Sequence, residues 1–312
     1  MDIDIDLSNM DNQQEKEKVI IDTLVLEINE CVQKAQIDRG AIDFIGVGVP
    51  GSYSGTKVLF LINVGIKNFD IGEALKNRYA ELGFQEDRVN IVVENDGNCA
   101  VVGELALGAL RGVENGINLV YGTGLGTGFI LNGKLYKGEN NSAGEMGHML
   151  DDERVHAETK TSVKRLRENI SNILNLSETI DGIELVAILN RIYNRDNYEI
   201  IEEIDKKGSK VLEILNDINS QEIRNLYETY KEKVVLSLIN VVNTFDPKRI
   251  SIGGSLSYFI GPDLEQIVKE VNRDCYYKKN QENRDEINYE IVIAKLGNDA
   301  GIIGAAMLEK YI

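Results

Sequence analysis

Basic residues, cysteines, histidines and long apolar runs are all scarce in this sequence, and each scarcity excludes a class of protein. Thirty-four Lys and Arg stand against fifty-one Asp and Glu, for a formal charge of −17, and no dense basic block occurs anywhere. A footprint on nucleic-acid phosphates needs such a block, so DNA or RNA binding by these residues is not expected. The three cysteines, Cys31, Cys99 and Cys275, are far apart, odd in number and without C-x-x-C spacing. That pattern indicates neither a disulfide framework nor a thiolate metal site; the cysteines read as reduced thiols of a cytoplasmic protein. His148 and His156 are the only histidines, and with no cysteine near them the ligand count falls short of a metal site. No window approaches the ~20 apolar residues of a membrane span, and the start, "MDIDIDLSNMDNQQEKEK", is acidic and polar, the opposite of a signal peptide. No repeat of solenoid length and no low-complexity linker is present.

What is there is the composition of a soluble globular protein, 43% hydrophobic and 27% charged, in a chain long enough at 312 residues for one large or two medium domains. Apolar residues at helical spacing from Lys16 to Ala35 predict an amphipathic helix. "AIDFIGVGVPG" (41–51) is a short strand stopped by Pro50-Gly51, "FDIGEALKNRYAEL" (69–82) a helix, and "RVNIVVENDGNCA" (88–100) a strand running into the helical "AVVGELALGAL". Strands alternating with helices predict α/β layering with at least partly parallel strands. "INLVYGTGLGTGFILNGKLYKG" (117–138) reads as a strand, a glycine turn, a second strand and a hairpin through Asn132-Gly133. Residues 158–243 form a helical layer ended by Asp246-Pro247; "KRISIGGSLS" then gives a strand and a Gly-Gly-Ser turn. A helix from Asp263 to Asn272, the strand "YEIVIAKLG" and a last helix, capped by Asn298 or Asp299, complete the chain.

Three segments carry chemistry. In "GTGLGTG", Gly122, Gly124, Gly126 and Gly128 let backbone N–H groups approach anionic oxygens, and Thr123 and Thr127 add hydroxyl donors. The same cluster also suits a strain-relieving turn; it is not a Walker A pattern, since no Gly-Lys-Ser/Thr follows, and it opens no helix as a dinucleotide fingerprint would. In "ENDGNCA", Glu94, Asn95 and Asp96 stand where a strand gives way to a helix. There Asp96 is either a helix N-cap or a base that takes a proton from an attacking hydroxyl. In "AGEMGHM", Glu145 and His148 lie three apart among glycines, side chains of the kind that hold polyol hydroxyls. A glycine phosphate loop beside such a pair points to a sugar being phosphorylated.

Taken in order, "GVGVPG", "ENDGNCAVVGE", "GTGLGTGFILNGKLYKGENNSAGEMGHM", "NTFDPKRISIGGSLS" and "LGNDAGIIGAAM" resemble the ROK family of repressors, open reading frames and kinases, which includes bacterial glucokinases and related hexose kinases. The resemblance runs from about residue 16 to the end and is weakest over 165–230. It implies an α/β fold of the actin-like ATPase (sugar kinase and Hsp70) superfamily, two α/β domains around a cleft, with the last helix returning to the first domain. The implied division is 1–115 plus 298–312, smaller, and 116–297, larger and bearing the helical lobe. It further implies ATP-dependent transfer of a phosphoryl group to a hexose hydroxyl, with ATP and Mg²⁺ as cofactors and a homodimer as the default assembly. Carried over, Asp96 is the base, and Asn63, Asn95, Glu145, His148 and Glu158 are the sugar ligands. Gly122, Thr123, Gly124, Gly126 and Thr127 meet the ATP phosphates; Gly253, Gly254, Ser255 and Gly297, with Gly301 beyond, lie on the adenosine side.

Two departures shape the expectation. The family's zinc-binding cysteine loop after the Gly-His is shortened here to "GHMLDDERVHAETKTSVKRL" without a cysteine, so structural zinc is not expected and other hydrogen bonds must orient His148. The family's opening hairpin with Asp-x-Gly-Gly-Thr, part of the clamp on ATP phosphates and magnesium, has no counterpart before the first helix, and "MDIDIDLSNMD" aligns with the strand after it. Because phosphoryl transfer relies on positioning and charge stabilisation, this 312-residue chain is expected to phosphorylate sugars poorly or not at all. A sugar-responsive repressor body and a non-catalytic sugar-binding protein are the alternatives.

Overall fold

The apolar stripe of the first helix fixes one layer. Gln13–Ala35 (α1) buries Ile21, Val25 and Val32, starts with the Asn12 side chain accepting the Gln14 N–H at 2.9 Å, and ends at Gln36 in the left-handed region. These residues belong to a computed structural model that describes residues 7, 10–61, 64–81, 89–195, 203–204, 206, 209–216, 220–276 and 289–312. Strand Phe44–Val49 (β1) pairs in parallel with Asn90–Asn95 (β5), Gly46 opposite Val92 and Val49 opposite Asn95. Between them the sequence reading placed only a helix. The structure adds an antiparallel sheet of Gly51–Ser54 (β2), Lys57–Leu61 (β3) and Ile66–Asp70 (β4), ordered β2-β3-β4, before the helix Ile71–Glu81 (α2). Its strands are four or five residues long, too short for alternation to declare itself, yet Tyr53, Val58, Leu61, Ile66 and Phe69 are all buried from it.

Strand β5 runs directly into Asp96–Ala106 (α3), so the helix opens four residues before the expected "AVVGELALGAL". Of the two alternatives for Asp96, the cap is not the one formed. Asn95 is the N-cap, its Oδ1 accepting the N–H groups of Gly97 (2.9 Å) and Asn98 (3.2 Å), and Asp96 is the first helical residue. A second sheet has the order β10-β9-β6-β7-β8, from Gly116–Tyr121 (β6), Leu125–Leu131 (β7), Lys134–Leu135 (β8), Arg249–Gly253 (β9) and Glu290–Ile293 (β10). β9 and β10 are parallel, and Asn132 and Gly133, both at positive φ, turn β7 into β8 as the sequence predicts.

The helical stretch contains Ala157–Thr161 (α4), Val163–Ile173 (α5), Gly182–Ile192 (α6), Val211–Asn216 (α7) and Gln221–Phe245 (α8); part of the pattern expected around 196–208 lies outside the described residues. Leu264–Asp274 (α9) begins beside Asp263, whose buried carboxylate takes Arg195 at 2.8 Å, Lys231 at 3.3 Å and the Tyr227 hydroxyl at 2.8 Å. The chain closes with Asp299–Tyr311 (α10). The expected side-chain cap by Asn298 or Asp299 is not formed; Asn298 makes no cap hydrogen bond, and the Leu296 and Gly297 carbonyls take the Asp299 and Ala300 N–H groups instead. No helix among the described residues is long and apolar enough to cross a membrane.

Two compact units result, one of Met1–Asn118, Gly128–Gly144 and Lys295–Ile312, the other of Leu119–Thr127 and Glu145–Ala294. The hairpin segment Gly128–Gly144, which the sequence division put in the second domain, thus clusters with the first unit.

Within the first unit, α10 lies on α3 with backbone against backbone. A Cβ built on Gly304 would sit 1.6 Å from the Cys99 carbonyl oxygen, and one on Gly103 would sit 2.1 Å from that of Ala300. The buried Glu104 carboxylate ties the same pair at its end, accepting the N–H groups of Leu296 (2.8 Å), Lys295 (3.0 Å) and Ala109 (2.5 Å). Gly304→Ala is therefore expected to lower stability by on the order of 1–3 kcal/mol, although alanine is the better helix former. Urea unfolding checks this, and an unchanged midpoint would contradict the close approach.

Candidate functional site

Short glycine turns at strand ends bring most of the sequence-predicted residues of the second unit together. After β6 the chain turns at Gly122, whose N–H donates to the Gly124 carbonyl at 3.0 Å, while its own carbonyl accepts the Lys164 N–H at 3.2 Å. The turn after β9 lies against it: Gly254, at φ 72°, comes so close that a Cβ would stand 2.4 Å from the Tyr121 carbonyl oxygen, and one on Gly122 would have Ser255 Oγ at 3.8 Å. "GTGLGTG" and "GGSLS" are one structure in space. Thr123 and Gly126 are exposed in it and Gly253 is buried. Thr127 is turned inward, 5% exposed, and its Oγ1 has no hydrogen-bond partner among the described residues, so this hydroxyl is not presented at the surface of the loop.

The carboxylate of Glu158, on α4, reaches the same loop. Its Oε2 would be 2.6 Å from a Cβ on Gly124 and 3.4 Å from one on Gly147, and the latter would also meet the Leu125 carbonyl oxygen at 2.6 Å. Gly147 belongs to the short 3₁₀ turn Met146–His148, which carries Glu145 at its start and His148 at its end. Glu145 Oε2 and His148 Nε2 are 3.8 Å apart, and both side chains are more than half exposed. The second unit therefore gathers Glu145, His148 and Glu158 around the glycine loop, the Glu145 and His148 side chains exposed.

The segment between His148 and Glu158, where the resemblance implies zinc in relatives, offers no cysteine. Among the described residues no group of three or more His, Cys, Asp or Glu side chains is set to hold a metal, so the donors do not fit zinc. Protein contacts close the loop instead. Lys160 is bonded to Asp151 and, at 3.0 Å, to Glu153. Asp151 Oδ1 accepts the Val155 N–H at 2.9 Å, Ala157 donates to the Met149 carbonyl at 2.8 Å, and the His156 ring meets His148 edge-on at 5.3 Å. Lys160 holds the Asp151 carboxyl below its ordinary range, helped by the Val155 N–H, and Asp151 and then Glu153 hold the Lys160 ammonium above its own.

In the first unit, Asp96 is exposed at the head of α3, and its Oδ1 accepts the Gly97 N–H at 2.8 Å. Asn95, which the resemblance makes a sugar ligand, has its Oδ1 engaged by the helix N-terminus. Gly297 is exposed at φ 53°, and Gly301 faces open space. Asn63 lies outside the described residues. Sequence reasoning missed the cluster behind Asp96, where Tyr53 and Lys137 converge on Glu94. Motif spacing gives no sign of it, because its members come from three separate segments. Beside it, Cys99 is buried, and that burial, with Glu94 and Asp96 adding, pushes its thiol far above the ordinary range; it is not a nucleophile at neutral pH.

A model of the ROK family matches residues 3–311. A glucokinase of Halalkalibacterium halodurans is 26% identical over 271 residues, 85% of this chain and 76% of that protein. A xylose repressor of Caldicellulosiruptor bescii is 26% identical over 305 residues, 95% of this chain and 69% of that protein. Among solved structures, a ROK glucokinase of Streptomyces griseus, in complex with glucose and AMPPNP, has a TM-score of 0.64 at 23% identity and covers 93% of this chain and 87% of its own. The fold is thus the actin-like ATPase fold expected from the sequence.

The Asp151–Lys160 pair makes the loop testable. Asp151, with a lowered pKa, contributes above its ordinary pKa and loses its share as pH falls through the lowered value. Lys160, with a raised pKa, contributes below its ordinary pKa and loses its share as pH rises through the raised value. The clasp is whole between roughly pH 5 and 9. Lys160→Met should speed tryptic cleavage after Arg154, which is exposed at φ 61°, several-fold across that whole range. Equal cleavage of variant and wild type would show that the loop does not depend on the pair.

Proposed function

The chain belongs to the ROK family, and on that premise we propose that it is a sugar kinase, transferring the γ-phosphoryl group of ATP to a hydroxyl of a hexose. The observation that carries this reading is the place of the Glu158 carboxylate in the second unit, whose Oε2 fills the space that a Cβ on Gly124 would need and borders that of one on Gly147. It sets side chains suited to sugar hydroxyls directly beside a glycine loop suited to phosphate. A protein that only sensed sugar would not need the loop.

In this reading Glu145 and Glu158 accept hydrogen bonds from sugar hydroxyls, and His148 supplies a further donor or acceptor to them. Asp96 takes the proton from the attacking hydroxyl as the oxygen–phosphorus bond forms and the bond to ADP breaks. Its exposure at the head of α3 suits a base that must reach substrate. The loop from Gly122 to Thr127 is the one assigned to the ATP phosphates, with Thr123 offering its exposed hydroxyl, and Gly253–Ser255, packed against it, is assigned to the adenosine side. Magnesium enters as the ATP complex; no cluster of acidic side chains among the described residues is set to cage it, and no residue is assigned to it.

The repressor relative, matched over 95% of this chain, favours one other reading, a sugar-responsive regulatory body. A charge of −17 argues against these residues touching DNA themselves.

Calorimetry with hexoses and a coupled assay for sugar-dependent ADP release separate the readings. The 312 residues carry no Asp-x-Gly-Gly-Thr hairpin, so release is expected to fall below the ~1–100 s⁻¹ ordinary for kinases. Asp96→Asn should reduce it a further 10²–10⁴-fold, by the usual worth of a general base of roughly that size, while hexose affinity stays within about twofold. Glu158→Gln should weaken hexose binding about tenfold or more. Equal release by wild type and Asp96→Asn would remove Asp96 from the reaction. Hexose binding without any release would favour the regulator, and no hexose binding would end both readings.

A further inference from the structure

Glu94 is fully buried at the end of β5, one residue before the N-cap of α3. Three donors converge on its Oε1: the Tyr53 hydroxyl from β2, the Asn95 N–H at 2.9 Å and the Asn98 side-chain amide at 2.8 Å. Its Oε2 has no hydrogen-bond partner among the described residues and faces Lys137 Nζ at 3.6 Å. Tyr53 is itself buried, and that burial, with the bond to Glu94, raises its phenol far above the ordinary range, so it stays a donor at every working pH. All four side chains belong to the first unit.

A buried carboxylate is expensive unless its charge is met, and among the described residues Lys137 is the cation that meets it. Two of the three donors flank Asp96 in sequence: the Asn95 amide precedes it and the Asn98 side chain follows it. Asn95 Oδ1 in turn holds the N–H groups of Gly97 and Asn98. The turn that presents Asp96 is therefore held from both sides by one oxygen atom.

We propose that Glu94 is a positioning residue for Asp96: its buried carboxylate, with Lys137 as counter-charge, clamps the strand-to-helix turn on either side of that residue. The kinetic consequence rests on the reading of Asp96 as the base; the clamp itself does not.

The test uses Glu94→Leu, Glu94→Gln and Tyr53→Phe in the full chain, with steady-state ADP release and amide hydrogen exchange of residues 95–98 measured on each. Glu94→Leu should lose at least tenfold in kcat while KM for hexose and for ATP stays within twofold. Exchange at 95–98 should quicken at least tenfold relative to Ile91 and Val93 in the same strand. Glu94→Gln, which keeps an oxygen for the donors, should recover kcat to within about threefold and restore the exchange rates. Tyr53→Phe should lose kcat severalfold at constant KM, and it supplies the kinetic answer if Glu94→Leu does not fold. A kcat unchanged in these variants, or a loss of kcat and KM in step, would overturn the proposal. If the wild type shows no sugar-dependent release, the kinase reading falls and exchange alone decides: quickening in Glu94→Leu but not Glu94→Gln upholds the clamp, and equal rates refute it.

Discussion

The first unit depends on one close contact, that of α10 against α3. Neither helix has room for a side chain where Gly304 meets the Cys99 carbonyl and Gly103 meets that of Ala300. Glycine inside a helix costs about 1 kcal/mol relative to alanine, and two of them here are offset only because the backbones then approach closely enough for dense packing. The consequence reaches the head of α3. Because β5 feeds α3 without a linker, fixing the body of the helix fixes the turn at 95–96 and with it the direction in which Asp96 leaves the strand.

Two buried glutamates of one motif complete that arrangement by different means. Glu104 is satisfied by backbone N–H groups of Lys295, Leu296 and Ala109, a fixed set of donors. Glu94 takes two side-chain donors and one backbone N–H on a single oxygen and leaves the other to an ammonium at 3.6 Å. The first is a static tie between the end of α3 and the segment leading into α10. The second is less completely satisfied, and buried groups of that kind cluster where a structure holds functional residues rather than where it merely packs.

Much of this was legible in the sequence, and what was not has physical causes. The helices α1, α2 and α9, the strands β5 to β7 and the hairpin at Asn132-Gly133 follow from periodicity and turn chemistry, which are local. The sheet β2 to β4 did not, since its strands are too short to show alternation. The alternative of Asp96 as the cap of α3 fell one residue late, because Asn and Asp cap about equally well and only the backbone angles of Asn95 decide between them. Gly304, in the last helix, is required by the Cys99 carbonyl of a neighbouring helix, and no local pattern in "LGNDAGIIGAAM" sets it apart from Gly301, which faces open space. Burial of Glu94 and Glu104 is a tertiary fact; nothing in "ENDGNCAVVGE" separates a buried carboxylate from an exposed one.

Glu158 sets a chemical constraint on the second unit that extends the proposed reading. Carboxylate oxygens accept hydrogen bonds, and Glu158 Oε2, which would lie 2.6 Å from a Cβ on Gly124, makes that side of the glycine loop unsuited to phosphate oxygens, which also accept. The neighbour it favours is a group with hydrogens to give. On the proposed kinase reading, sugar hydroxyls meet that requirement and phosphates do not, so the acceptor sugar would lie on the Glu158 side of the loop and the anionic donor away from it, toward Gly122 and Thr123. In that reading, such a division would orient the two substrates before any chemistry occurs. In phosphoryl transfer, where positioning supplies most of the rate, orientation of that kind is the larger part of what a protein can contribute.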